Sequence, residues 1–245
     1  MIYFIGAGPG DEDLITVKGR RIIEAADLVV FTGSLVSKTH LKYCKPDCVK
    51  ISSAPLTLEE VMDKLIEFHD QNLTVVRLHT GDPSIYGAIG EQIKILDERK
   101  IDFEVVPGVS SFTAACSSLK KEFTLPGISQ TVIVTRLAGR TPVPEKEDLE
   151  LLARHQCSMA IFLSVKDMKT VVKKLTAGYG SDQIPIAVVY KATWPDEKII
   201  KGTLADIAEK VAAHKIEKFA QILVGEFIDT DFDRSLLYHP EFTHD

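Results

Sequence analysis

The stretch Met1-Ile-Tyr-Phe-Ile-Gly-Ala-Gly-Pro-Gly-Asp-Glu-Asp13 decides the fold. Residues 2–5 form an apolar run that predicts a buried strand, and the three glycines within residues 6–10 end it abruptly. Glycine permits positive φ angles and leaves room for close approach to the backbone. Asp11 or Asp13 can cap a helix that we expect to begin near Leu14. A strand, a glycine loop and a helix start in this order tend to place a ligand at the carboxyl end of the strand.

A dinucleotide-binding fingerprint fits this stretch poorly. Gly6 and Gly8 occupy the first two positions of Gly-x-Gly-x-x-Gly, but Asp11 stands at the third. Pro9 also lacks the backbone N–H that a phosphate would need. NAD or FAD binding is therefore disfavoured, while a tight strand–helix turn without any ligand remains an alternative at this point.

Two further predicted strands end in the same kind of loop. Residues 74–79 are followed by Thr80-Gly-Asp-Pro-Ser-Ile-Tyr-Gly87, and residues 103–106 by Pro107-Gly-Val-Ser-Ser111. One such loop is ordinary turn chemistry. Three of them at the ends of neighbouring parallel strands indicate a shared cleft lined by backbone groups.

The order of elements predicts an α/β protein with two α/β domains, at residues 1–114 and 115–245. In the first, strands alternate with helices, which is typical of a parallel sheet covered on both faces. The capping box Thr57-Leu-Glu-Glu60 opens one of these helices. In the second, two successive strands at 184–190 and 197–202 indicate a mixed sheet. Its other predicted strands are 131–134, 159–163 and 220–224, and its predicted helices are 145–155, 165–177 and 204–214.

Composition narrows the classes of protein. The 245 residues are 45% hydrophobic, enough for a substantial core, and no apolar run approaches the ~18 residues of a membrane span. The net charge of −6 argues against a nucleic-acid partner. The N-terminal apolar run has no basic residues before it and ends at once in glycines, unlike a signal peptide. Four cysteines without zinc-type spacing indicate a reduced, cytoplasmic chain with no structural metal.

The three loops also carry a resemblance. Gly6-Ala-Gly-Pro-Gly-Asp11, Gly81-Asp-Pro83 and Pro107-Gly-Val-Ser110 resemble the signature loops of the tetrapyrrole methylase family. The later stretch Ile222-Leu-Val-Gly225 is also similar, so the resemblance covers nearly the whole chain. Within that family, two further stretches resemble the branch that methylates C11 of precorrin-4 in cobalamin biosynthesis: Thr32-Gly-Ser-Leu-Val36 and Thr135-Arg-Leu-Ala-Gly-Arg-Thr-Pro-Val-Pro144.

One position departs from a related branch. The uroporphyrinogen-III methyltransferases carry an acidic residue in the stretch that matches Phe31-Thr-Gly33, and here the position is Thr32. The acid–base group proposed for that branch therefore cannot be transferred to this chain.

The resemblance implies S-adenosylmethionine (SAM) as methyl donor, bound in a cleft between the two domains of a homodimeric enzyme, with S-adenosylhomocysteine as product. Carried over position by position, the implied SAM contacts are Pro9, Gly81, Asp82, Pro83, Tyr86, Ser110, Ser111, Leu163 and Ala192. Plainer interpretations remain open for several of them. Pro9 and Asp82-Pro83 could serve only a turn, Ser110 only a helix N-cap, and Leu163 only the core. For Gly81, we expect a branched side chain to occupy ligand space.

The implied substrate, a precorrin-type tetrapyrrole, carries several carboxylates. Arg136 and Arg140 lie in the loop after a predicted strand and could clamp such groups, with Lys120 and Lys121 as alternatives. No acid or base is assigned, because the methyl group of SAM is already activated and alignment alone can supply roughly 7–11 kcal/mol. His79 beside the second loop is favoured as a hydrogen-bonding group over a base.

Two other functions stay open on the sequence alone. One is methyl transfer to another tetrapyrrole carbon, or to a modified protein side chain as in diphthine synthases. The other is a SAM-responsive binding protein without catalysis, against which the intact glycine loops argue.

Overall fold

The computed structural model describes residues 1–33, 36 and 38–235. The chain divides into two compact units, Met1–Ala114 and a second that begins at Ala115. Each unit contains its own five-stranded sheet. The predicted architecture of two α/β units, one with a parallel sheet and one with a mixed sheet, is confirmed.

The sheet of the first unit is parallel throughout, with the strand order β3-β2-β4-β1-β5. Its strands are β1 (Ile2–Gly6), β2 (Leu28–Phe31), β3 (Val49–Ser52), β4 (Val75–His79) and β5 (Phe103–Val106). β2 and β4 are buried along their whole length, which explains their nearly continuous apolar sequences. Because β4, β1 and β5 are neighbours, the three glycine loops that follow them lie at one edge of the sheet.

Helices cover both faces of this sheet. They are α1 (Val17–Ala25), α2 (Leu58–Asp70) and α3 (Gly90–Glu98), while α4 (Ser111–Ser118) contains the boundary between the units. Residues of β1 alternate between the faces: Ile5 packs in one cluster with Ile23 of α1, and Phe4 packs in the other with Leu65 of α2. The predicted capping box at Thr57 is present, with both of its reciprocal hydrogen bonds.

The predicted helix start near Leu14 is wrong by about one turn. Asp11 caps only a short 3₁₀ turn, Glu12–Leu14, by accepting a hydrogen bond from the N–H of Asp13 at 3.0 Å. The helix itself begins at Val17, where Thr16 Oγ1 accepts from the N–H of Gly19 at 3.1 Å. Thr16 is thus a second capping residue, which the acidic pair in the sequence obscured.

The sheet of the second unit has the order β6-β7-β10-β8-β9, with β6 parallel to β7 and the other pairs antiparallel. Its strands are β6 (Val132–Arg136), β7 (Ser158–Phe162), β8 (Pro185–Tyr190), β9 (Lys198–Thr203) and β10 (Ala220–Val224). Three helices pack in one cluster with the buried side chains of these strands: α5 (Leu149–Ala153), α6 (Met168–Tyr179) and α7 (Ile207–Ala213).

The predicted helices of this unit exist but are shorter or shifted. The helix expected at 145–155 is a 3₁₀ turn, Glu145–Glu147, followed by five-residue α5. Asp148 separates them, because its side chain caps α5 by accepting from the N–H of Glu150 at 3.0 Å. Similarly, a 3₁₀ turn at Val165–Asp167 precedes α6, which Asp167 caps through the N–H of Thr170.

Candidate functional site

Two of the three loops at the edge of the first sheet are hydrogen-bonded to each other through their backbones. We call residues 6–11, 80–87 and 107–111 the first, second and third loop, and together the glycine edge. Gly8 and Gly81 form an isolated bridge, in which the N–H of Gly8 donates to the carbonyl of Gly81 at 3.2 Å and the N–H of Gly81 to that of Gly8 at 2.9 Å. The N–H of Ala7 donates to the carbonyl of His79 at 2.8 Å.

Glycine is required here because the backbones touch. A Cβ atom on Gly6 would lie 2.5 Å from the carbonyl oxygen of Gly81 and 2.7 Å from the Cα of Gly108. Gly81 is different, since its φ of +61° lies in the region that favours glycine, while a Cβ atom added there would meet the Cα of Ser110 at an ordinary 3.7 Å. A larger residue at position 81 would therefore be strained by the backbone conformation, whether or not a ligand lies nearby.

Asp82 joins the second loop to the third. Its Oδ2 accepts from the N–H of Gly108 at 2.9 Å, and its Oδ1 accepts from the N–H of Ser84 at 2.8 Å and from the Ser84 hydroxyl. Burial by itself would raise the pKa of Asp82, but these hydrogen bonds together hold it below its ordinary value. Since both oxygens are engaged, Asp82 can shape a ligand site by fixing the two loops.

The other expected SAM residues of the first unit lie on the same edge and differ in their exposure to solvent. Pro9, Pro83 and Ser110 are buried, and Ser110 directly precedes α4, where its carbonyl accepts from the N–H of Ala114 at 3.1 Å. Tyr86 is 45% exposed and has a φ of 54°, a strained value for a residue other than glycine. Ser111 is half-buried at the start of α4.

In the second unit, Leu163 and Ala192 follow β7 and β8, whose carboxyl ends lie at one edge because both strands run antiparallel to β10. Leu163 is 74% exposed with a φ of 54°, so the interpretation of this residue as core is wrong. Ala192 is buried between Lys191 and Thr193, which also have positive φ angles, 48° and 70°. Exposed or strained residues at strand ends are typical of ligand sites.

Glu197 holds the segment around Ala192, a role that the sequence did not reveal. Its Oε2 accepts from the N–H of Thr193 at 2.6 Å and from the Ser118 hydroxyl at 2.7 Å. Lys191 and Asp196 pair across the same turn at 2.6 Å. These contacts fix a strained turn, which sequence patterns of alternating strands cannot show.

Arg136 and Arg140 differ in their surroundings although both belong to the same region of the second unit. The two terminal nitrogens of Arg136, at the end of β6, donate to the carbonyls of Leu137, Thr141 and Pro142 at 3.0–3.2 Å. We call residues 137–144 the β6 loop. Within the described part of the chain, Arg140 on this loop is exposed and makes no hydrogen bond or ion pair. Arg136 therefore organises the β6 loop, and Arg140 is available to a ligand.

His79 is the last residue of β4 and is 2% exposed. Burial, with a further contribution from Arg77, lowers the pKa of His79 to about 3. The imidazole is therefore neutral at physiological pH. Its Nε2 and the Thr32 hydroxyl oxygen are buried without a hydrogen-bond partner among the described residues. Ser34 and Leu35 of the stretch that begins at Thr32 lie outside the described residues.

Among residues 1–33, 36 and 38–235, no group of three or more His, Cys, Asp or Glu side chains could hold a metal ion. None of the helices in this part of the chain has the length and hydrophobicity that a membrane span requires. A surface cavity of about 330 Å³ lies between the turn at Glu12 and α1. Its walls mix Arg20 and Arg21 with acidic side chains, so its charge favours no one class of ligand.

Comparison with known proteins decides the family. The model for tetrapyrrole (corrin/porphyrin) methylases matches residues 1–208. The chain belongs to the tetrapyrrole methylase family. A cobalt-precorrin-4 C(11)-methyltransferase of Methanocaldococcus jannaschii is 52% identical over 245 residues, which cover 100% of this chain and 95% of that protein.

Solved structures of tetrapyrrole methylases share the whole architecture. The cobalt precorrin-4 methyltransferase CbiF is 45% identical and superposes with a TM-score of 0.91, over 94% of this chain and 96% of that one. A uroporphyrin-III C-methyltransferase from Thermus thermophilus, solved as a complex with S-adenosylhomocysteine, is 25% identical, with a TM-score of 0.76 and 93% coverage of both chains. The family resemblance read from the three loops is therefore confirmed.

Proposed function

We propose that this protein transfers a methyl group from SAM to C11 of precorrin-4 or cobalt-precorrin-4 in cobalamin biosynthesis. The observation that carries the proposal is the 52% identity to a cobalt-precorrin-4 C(11)-methyltransferase along the entire chain. Likeness to the uroporphyrin-III enzyme is much weaker, at 25% identity. Methyl transfer to another tetrapyrrole carbon is accordingly the second-ranked function.

The residues present suit SAM as the methyl donor. The glycine edge offers backbone groups without bulky side chains, and Tyr86 and Leu163 offer exposed aromatic and apolar surface for an adenosine. The proposed contacts are Pro9, Gly81, Asp82, Pro83, Tyr86, Ser110 and Ser111 from the first unit, and Leu163 and Ala192 from the second. When bound, SAM supplies a methyl group activated by its sulfonium.

The chain's own part in the reaction is to bind, orient and exclude water. An electron-rich carbon of a reduced tetrapyrrole can attack a sulfonium methyl group directly, so the alignment of the two reactants is the main demand. His79, with its low pKa, is left out of the proton transfers. No side chain is assigned as a catalytic acid or base.

Arg140 is the proposed contact to a substrate carboxylate. It is exposed, and its guanidinium can form the two parallel hydrogen bonds that a carboxylate accepts. Arg136 contributes by holding the β6 loop through three carbonyls, with its Nε left for a further contact. Lys120 and Lys121, both exposed, remain the alternatives.

The proposal includes a homodimer located in the cytoplasm. The dimer rests on the family and on the prevalence of two-fold oligomers, and light scattering that reports a monomer would remove it without affecting the methyl transfer. The cytoplasmic location is supported by four cysteines that are all free thiols.

The function is tested by offering the purified protein methyl-labelled SAM with each of four acceptors. These are uroporphyrinogen III, precorrin-4, cobalt-precorrin-4 and the protein substrate of diphthine synthases. We expect label only in the two precorrin-4 forms, and comparison of the two tells whether cobalt is already in the ring. Label in uroporphyrinogen III or in the protein would replace the proposal with the corresponding alternative, and SAM binding without any transfer would favour a binding protein.

A further inference from the structure

A buried cation without a carboxylate partner lies beneath the second loop. Arg77, in the middle of β4, is 6% exposed, and burial lowers its pKa to about 10, so the guanidinium stays charged at neutral pH. None of the ion pairs formed within the described part of the chain includes Arg77. Its partners are neutral: Nε donates to Oε1 of Gln92 at 3.3 Å, and Nη1 donates to the carbonyl of Val30 at 3.2 Å. A buried charge is costly to keep, and these neutral acceptors offset that cost only in part.

Gln92 carries this interaction on to the backbone that directly follows the second loop. It is 4% exposed on α3, and its Oε1 accepts from Arg77. Its Nε2 donates to the carbonyl of Ala88 at 2.8 Å. Because Arg77 can only donate, it fixes which end of the Gln92 amide faces the strand, and the NH₂ group then has to face Ala88. The two residues form a directed chain of hydrogen bonds from β4 to the backbone at Ala88.

The backbone at the end of that chain is strained. Tyr86 and Ala88 have φ angles of 54° and 50°, and a Cβ atom on the intervening Gly87 would overlap the carbonyl of Pro83. α3 begins at Gly90, and Ile89 at its N-cap position provides no side-chain cap. Residues in this region of φ and ψ persist only where their surroundings hold them. The bond from Gln92 to Ala88 supplies such a restraint from inside the protein.

We propose that Arg77 and Gln92 are positioning residues that hold Tyr86 in the orientation that binds SAM. The inference rests on the proposed function, since Tyr86 is a SAM contact only within it. Neither residue needs to touch SAM, because their effect passes through Ala88. On this proposal, the unfavourable burial of Arg77 serves to fix the geometry of the loop. Removing this chain of hydrogen bonds should therefore weaken SAM binding more than it lowers the stability of the fold.

Gln92→Glu separates the contact of residue 92 with Arg77 from its contact with Ala88. The carboxylate can still accept from Arg77, and it gives the guanidinium an opposite charge, so the free energy of unfolding should be kept or raised. It cannot donate to the carbonyl of Ala88 when ionised, so the restraint on the loop is lost. Arg77→Met removes the charge while filling a similar volume, and it leaves the Gln92 amide free to turn. Arg77→Lys keeps a donor toward Gln92 and should recover part of the affinity.

The test is calorimetric titration of each variant with S-adenosylhomocysteine, beside urea unfolding and steady-state kinetics. We expect Gln92→Glu and Arg77→Met to bind about three- to tenfold more weakly, the worth of roughly one net hydrogen bond. KM for SAM should rise while kcat at saturating SAM stays near that of the wild type. Val61→Ala, in the core between α2 and the same sheet face, is the matched control. It should lower stability and leave the affinity unchanged.

The outcomes are distinguishable. If the wild-type protein does not bind S-adenosylhomocysteine, the proposed function fails and this inference fails with it. If the wild type binds and both variants bind equally well, or lose affinity only as Val61→Ala does, the inference alone is overturned. If Gln92→Glu does not fold, Arg77→Met decides by the same criterion.

Discussion

Two glycine- and proline-rich loop regions follow strands in this molecule, and they are built in opposite ways. The glycine edge of the first unit is locked by backbone contacts, so that a single methyl group on Gly6 would lie 2.5 Å from a carbonyl oxygen. The β6 loop of the second unit is held mainly by one side chain, Arg136, and a Cβ atom on its Gly139 would meet nothing within 4 Å. The same residue types therefore form tightly packed backbone in the first unit and a loop with open space around its glycine in the second.

This difference suits the two ligands of the proposed reaction. A cofactor common to the family can be held by a fixed backbone cradle, whereas recognition of a particular tetrapyrrole needs side chains that vary. The exposed Arg140 on the β6 loop and the engaged carboxylate of Asp82 on the glycine edge illustrate the two strategies.

The largest effect should come from a methyl group added at the glycine edge. Gly6→Ala forces the first loop away from Gly81 and Gly108, and we expect it to cost about 3 kcal/mol or more and to abolish binding of S-adenosylhomocysteine. Gly139→Ala on the β6 loop is the matched control and should change stability by less than about 0.5 kcal/mol. Urea unfolding and calorimetric titration measure both. Equal, small effects at the two glycines would show that the glycine edge is not locked.

Next in size is the loss of the charge on the β6 loop. Arg140→Ala should weaken tetrapyrrole binding about ten- to a hundredfold, the worth of a charge-assisted contact, and leave SAM affinity unchanged. Arg140→Lys should recover only part, because an ammonium cannot make the planar two-point contact. Steady-state kinetics, with the tetrapyrrole and SAM varied in turn, measure the effect on each substrate. If kcat/KM for the tetrapyrrole is unchanged, Lys120 and Lys121 become the candidates.

Asp82 should make stability depend on pH in the acid range. Its folded pKa is lowered, so its contribution is fully present above the unfolded value of about 4 and is lost as pH falls through the folded pKa. In Asp82→Asn this dependence should vanish, with a loss of about 1–2 kcal/mol at pH 7 that falls off toward acid, since partial exposure screens the interaction. Unfolding curves from pH 7 to pH 3 compare the two proteins. Parallel curves would mean that the carboxylate does not hold the loops together.

The smallest effect concerns the strained Leu163. Glycine accepts its φ of 54° without strain but has more freedom in the unfolded chain, so Leu163→Gly should change stability by less than about 1 kcal/mol. Loss of the exposed side chain should nevertheless weaken SAM binding about three- to tenfold. Lys215→Gly, at a φ of 54° after α7, is the control for backbone strain alone. Identical SAM affinity in both variants would remove Leu163 from the proposed site.

Much of the fold was predictable because its signals are local. Short sequence patterns indicate several elements: apolar runs indicate β2 and β4, and the capping box at Thr57 indicates the start of α2. β3 was missed because it is a four-residue edge strand, with Val49 and Lys50 exposed and therefore without a buried pattern. Ser110 was considered as a helix N-cap, but the extent of α4 was not predicted, because Ser111–Ser118 is composed mostly of small residues with a weak contrast between its faces.

The placement of the three glycine loops was predictable, but the contacts between them were not. Three glycine loops could be placed at one sheet edge from the order of strands, but the bond from Gly108 to Asp82 joins residues 26 apart in sequence. The sequence gives only one sign of the hydrogen-bond chain through Arg77 and Gln92, which is a charged residue inside an apolar strand. Whether Arg136 or Arg140 is free depends on how the β6 loop folds back, which no spacing reveals.

The position of the new methyl group on a precorrin-4 ring distinguishes methylation of C11 from every alternative. The wild-type protein would be incubated with ¹³C-methyl SAM and precorrin-4, with and without cobalt, and the product analysed by carbon NMR. We expect a single enriched methyl group, attached to C11. Enrichment at any other ring carbon, or none in either form of the substrate, would contradict it.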